Sequence, residues 1–116
     1  MKRNLKIAAL AAIAAANPEG FTVNAKTLTP VTSGYAVAVR ATQNSFGSEG
    51  LSAVVDYANT DQAVTAFGGW FDSETGLYYY DAVVITDNFD RAKAIAEREG
   101  QIAFFSLDEM KEYRIK

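Results

Sequence analysis

The chain contains no cysteine and no histidine. Those two absences remove thiolate and imidazole chemistry together. A cysteine or histidine nucleophile or base, a Ser-His-Asp triad and the usual zinc sites are excluded. With no disulfide framework to read, redox compartment stays open. Strong charge is missing too: 11 Lys and Arg stand against 14 Asp and Glu, a net charge of −3. No basic stripe is present to drive phosphate binding, so nucleic acid is not an expected partner. The acidic excess is too small to argue a DNA mimic. The longest apolar run, residues 7–16, is too short to span a bilayer, so no membrane partner is expected.

What is present describes one domain over residues 1–116. Apolar residues make up 49% and charged residues 22%, close to the globular average. A chain of this length supports one modest core. An enzyme built from this alphabet must use carboxylates, Lys, Tyr, Ser/Thr or a hard cation held by oxygen. No metal-loop spacing or phosphate-loop ending is found, and no cofactor is expected.

The N-terminal MKRNLKIAALAAIAAANPEG has two readings. A basic start, an apolar run and small residues at Ala14 and Ala16 outline a secretory signal peptide. The preferred reading is an Ala-rich helix over residues 1–17, with Leu5, Ala9, Ala12, Ile13 and Ala16 on its inner face. Asn17-Pro18 would end it, because the residue before proline avoids the α region.

Beyond Gly20, FTVN reads as a short strand and AKTLTPVTSG as a loop or edge. GYAVAVRAT alternates as a strand, with Tyr35, Val37 and Val39 on one face. Leu51, Val54, Val55 and Ala58 recur at helical spacing, with Ser48 as the expected N-cap. AVTAFGGWF and LYYYDAVVIT flank the hairpin loop DSETG. Asp87 and Asn88 offer caps to a second amphipathic helix, whose inner face is Phe89, Ala92, Ile95 and Ala96 and which Gly100 stops. QIAFFSL is a strand, DEM a turn, and KEYRIK a short terminal strand or tail. From residue 34 the order is β-α-β-β-α-β. The expected fold is therefore α+β: a ferredoxin-like split βαβ core over residues 34–107 with an added N-terminal helix and short strand.

Three stretches invite function. In ATQNSFGSEG, residues 41–50, Gln43 and Asn44 offer hydrogen bonds and Phe46 an apolar contact. The plainer account is a connection in which Ser48 caps the helix, Asn44 makes an Asx-turn and Phe46 staples the loop to the core. GGWFDSETGLYYYD puts five aromatics on one hairpin, with Tyr78 and Tyr80 on one face and Tyr79 on the other. Trp and Tyr dominate interface hot spots, but cross-strand aromatic pairs also stabilise hairpins. Among the carboxylates, Asp72, Asp87 and Asp90 are explained by turns and caps. Asp81 is the odd one, because it sits inside a strand-like run.

The segments NPEGFTV, GYAVAV, TQNSFG, GGWFD, YYYDAVVI and QIAFFSLDEMKEYRI resemble small accessory proteins and domains of bacteriophages and conjugative elements of gut bacteria. Similar segments occur within the large polyvalent proteins of those elements. The resemblance covers roughly residues 17–115. It implies a protein in the cytoplasm of a bacterial host, acting on host or defence proteins, and secretion becomes the minority alternative. It supplies no functional residues. The resulting expectation is a non-enzymatic protein-interaction module that binds through Gln43, Asn44, Phe46, Trp70, Tyr78 and Tyr80. The alternatives are a binder or small enzyme for a nucleotide-like ligand at the 42–48 loop, and an oligomerisation domain that forms a homodimer through sheet edges.

Overall fold

The computed structural model describes residues 1–116. Its elements are α1 (Arg3–Ala16), β1 (Phe21–Asn24), β2 (Tyr35–Ala38), β3 (Ser45–Phe46), α2 (Gly47–Ala58), β4 (Ala66–Asp72), β5 (Leu77–Thr86), α3 (Phe89–Arg98), β6 (Ala103–Ser106) and β7 (Lys111–Arg114). The class is α+β. All seven strands join one antiparallel sheet in the order β1-β4-β5-β2-β6-β7, with β3 also pairing to β5. This is not the four-stranded sheet expected from the element pattern. FTVN adds a strand outside β4, KEYR adds one outside β6, and Ser45–Phe46 adds a third beside β5.

Strand alternation sorts side chains onto two faces. Val23, Val37, Phe67, Tyr80, Ala82, Val84 and Phe104 fall on one face and, with buried residues of all three helices, form a single core cluster, against which Phe21 of the same face packs. Thr22, Ala36, Ala38, Phe46, Gly68, Trp70, Tyr79, Asp81, Val83 and Phe105 fall on the other. No helix contributes to that second face's pairing row, and it holds the more exposed aromatics.

The N-terminal helix lies beside the core helices, with Arg3 gripping Asp56 of α2 at 2.6 and 3.1 Å. Its inner face differs from the sequence expectation. Leu10 (0% exposed) and Ala14 enter the core, with Ile7 and Ile13 packed against it, while Leu5 is 63% exposed. In an Ala-rich helix, small residues ring every side. The few larger apolar groups then set the rotation, and Ile7, Leu10 and Ala14 share an i, i+3, i+7 stripe.

Two capping expectations have opposite outcomes. Asn88 caps α3, its Oδ1 accepting from the Arg91 N–H at 2.9 Å. Ser48 does not cap α2: the helix already begins at Gly47, and Phe46 holds the cap position with no side-chain bond. Pairing of Ser45–Phe46 with Tyr79–Tyr80 keeps the chain extended up to that point. At its other end α3 is closed by Arg40, whose guanidinium donates to the carbonyls of Glu99 (3.2 Å) and Arg98 (3.5 Å). A cation there complements the helix dipole.

Candidate functional site

The hairpin β4–β5 places its aromatics by strand parity. On the helix-covered face, Tyr78 and Tyr80 pack against Phe21 at ring-centroid distances of 6.2 and 6.4 Å. Gly69 makes room for this stack, since a Cβ there would overlap the Phe21 ring. Tyr78 donates its hydroxyl to the Asn17 carbonyl at 2.7 Å, and burial pushes its ionisation up to about 12. Tyr80 is 7% exposed. Both residues are therefore structural, a correction to their expected role as surface anchors.

On the other face the register sets Phe46, Tyr79 and Trp70 side by side across β3, β5 and β4. Tyr79 meets Phe46 edge-on at 5.7 Å and stacks on Trp70 at 5.3 Å. Phe46 is 46% and Trp70 47% exposed. Phe46 is thus a surface residue, not the expected staple to the core. Tyr79, placed by parity on the face opposite Tyr78 and Tyr80 but not among the expected binding residues, is the centre of the row.

The 41–50 stretch is split in role. Thr42 is buried, and its Oγ1 accepts from the Ala82 N–H at 3.0 Å, which anchors the loop to β5. Gln43 and Asn44 are exposed, and Asn44 adopts a left-handed φ of 64°, which Asn tolerates. No side-chain hydrogen bond forms the expected Asx-turn. Gln43 and Asn44 stand next to Phe46 in sequence and share its exposed end of β3. The structure brings Phe46 and Trp70 together through Tyr79, and it separates Tyr78 and Tyr80 from them.

One strand step from the aromatic row lies a cavity of about 750 Å³. Its floor is Ala36, Ala38, Gly68 and Val83 of the second face, Ile13 of α1 reaches its rim, and the 28–32 segment contributes Leu28, Pro30 and Val31. Trp70 lines it as well, so cavity and row are continuous. Asp81 lines the cavity between Tyr79 and Val83 on β5. Removal from water is the one cause acting on its carboxyl, and it pushes the ionisation from 3.8 up to about 6. The structure gives the Asp81 side chain no ion pair and no hydrogen-bond donor. Arg40, two residues beyond β2, is turned to the end of α3. Sequence reading singled out Asp81 but not the cavity. The missed signal was small residues recurring at alternate strand positions, Ala36 and Ala38, beside Gly68.

No group of three or more metal-ligating side chains gathers anywhere in the fold. No helix is long and apolar enough to cross a membrane. No family model matches the chain, and comparisons with curated proteins and with solved structures find no match.

Proposed function

We propose that the chain is a non-enzymatic protein-binding module whose docking surface is the Phe46–Tyr79–Trp70 row, with Gln43 and Asn44 at its edge. The observation that carries this reading is three contacting aromatics held exposed on the face that no helix covers. Large amphipathic rings locked by cross-strand packing lose little entropy on binding, and Trp and Tyr are the residues on which interfaces concentrate their energy. Likeness to accessory proteins of phages and conjugative elements supports a host or defence protein as the partner, met in the bacterial cytoplasm. The inner strand order β4-β5-β2-β6, with α2 and α3 as crossovers, supports a split βαβ core widened by edge strands. The absence of paired carboxylates at the row supports binding over catalysis.

The test places a photo-crosslinking amino acid at position 70 in bacterial cells, with the same group at the exposed helix position 93 as control. A partner crosslinked from position 70 alone is then purified and titrated. Trp70→Ala is expected to weaken its binding about tenfold or more while leaving folding intact. Unchanged folding together with unchanged affinity would sink the proposal.

A further inference from the structure

We infer that the cavity floored by Ala36, Ala38 and Val83 is a binding site for a small organic amine, with its carbon body on the apolar floor and its ammonium at Asp81. This goes beyond the protein-binding reading and does not depend on it.

Five observations point the same way. The volume, about 750 Å³, lies within the range of small-ligand sites and far exceeds what one side chain of a partner would fill. The charged residues along its wall are Asp81 and the exposed Glu19, both acidic, with no Lys or Arg among them. An anion is therefore repelled and a cation is complemented. Asp81 also lacks any partner of its own, so its carboxylate holds unused acceptor capacity facing the cavity. Trp70, beside it, offers a ring face that attracts a desolvated ammonium.

The fifth observation is backbone strain. Leu28 and Met110 hold φ of 59° and 53°, the left-handed region that bulky side chains rarely occupy, and both line this cavity. Such outliers gather where a binding wall must be held in place. A metal ion is a poor occupant, because one carboxylate supplies too few ligands. A nucleotide phosphate would meet only acidic groups.

Binding and protonation are linked. Asp81 carries a proton below about pH 6 in the empty cavity, and an ammonium needs it ionised. The groups to weigh are Glu19 on the wall and Arg40 beyond the end of β2. Arg40 is held by the α3 carbonyls, and Glu19 is exposed to water. Amine affinity should therefore rise as pH passes upward through the Asp81 ionisation.

The test is a titration of the full chain with phenethylamine and with 2-phenylethanol, its uncharged counterpart, followed by amide chemical shifts at pH 8 and pH 5. Fragments of this size bind on the order of millimolar. Phenethylamine is expected to shift the amides of Ala36, Ala38, Asp81 and Val83 and to bind about tenfold more tightly than the alcohol at pH 8. That preference should shrink at pH 5 and vanish in Asp81→Asn. Ala36→Leu, which fills the floor and keeps the acid, should abolish both shifts. Equal binding of the two probes, or shifts confined to residues outside the cavity, would overturn the inference. So would a preference for the amine that survives in Asp81→Asn.

Discussion

Asp81→Asn should make the protein more stable at neutral pH and leave it nearly unchanged in acid. In the fold the carboxyl ionises at about 6 against an ordinary 3.8, and burial is the cause. A raised carboxyl favours the neutral form in the native state. Between pH 3.8 and 6 the folded chain keeps a proton that the unfolded chain releases, so stability falls as pH rises through that window. Above it the native state carries the whole penalty. About two units at 1.36 kcal/mol each give about 3 kcal/mol, and partial access to water reduces this to about 2. Asn has nearly the same shape and no charge, and no hydrogen bond of the Asp81 side chain is lost. For a domain of this size 2 kcal/mol corresponds to roughly 8 °C in Tm.

The assay is urea denaturation and thermal melting of both proteins at pH 4 and pH 8. The variant should exceed the wild type by about 2 kcal/mol at pH 8 and by no more than about 0.5 kcal/mol at pH 4. Other groups titrate across the same range. The Asp56 carboxyl, held low by its hydrogen bond from Arg3, gives a slope of opposite sign. It does so in both proteins and cancels in the difference. A variant that gains nothing at pH 8, or gains equally at both, would show that Asp81 is well hydrated or has found a partner.

Other perturbations probe the scaffold. Thr42→Val should cost about 1–3 kcal/mol in the urea midpoint, because the buried Ala82 N–H loses its acceptor, and Thr42→Ser should restore most of it. Gly69→Ala should cost about 1–3 kcal/mol and broaden the Phe21 and Tyr78 ring signals, since the added Cβ runs into both rings. Leu10→Ala should cost about 2–5 kcal/mol, a loss that an α1 merely appended to the fold would not give.

Elements were legible where one physical signal dominated. The 51–58 and 89–98 helices carry apolar residues at i, i+3 and i+4, and the DSETG hairpin carries its own turn chemistry: Asp72 Oδ1 accepts from the Glu74 N–H and Gly76 holds a φ of 73°. The sheet's full width was not legible. FTVN, Ser45–Phe46 and KEYR are too short to show a period, and their pairing depends on neighbours far along the chain. The rotation of α1 was hidden because alanine on every side gives no preferred face. The cavity was hidden because its walls come from segments far apart in the chain, from Ile13 to Met110, and the 28–32 segment reaches them by pairing along the edge strand β1 through Val23 and Pro30.

The tyrosine triplet shows most clearly where sequence stops. Tyr78, Tyr79 and Tyr80 must alternate between faces, and alternation alone assigned them correctly as two against one. Which parity faces the helices is another matter, because three identical residues carry no amphipathic signal. The core parity is set by their neighbours on β5: Ala82 and Val84 are buried under α2 and α3, and Asp81 holds the other face open. Paired truncations test this assignment. Tyr80→Ala should empty a buried site against Phe21 and cost about 3–5 kcal/mol. Tyr79→Ala should cost less than about 1.5 kcal/mol, the worth of its contacts with Trp70 and Phe46, and should spread those two rings apart. Urea midpoints give the first comparison, and Trp70 fluorescence reports the second. If the two costs were equal, parity would not be dividing these rings between core and surface. A docking surface built on Tyr79 would then have to be abandoned. If they split as expected, one step along the strand separates a residue that holds the fold from one free to meet a partner.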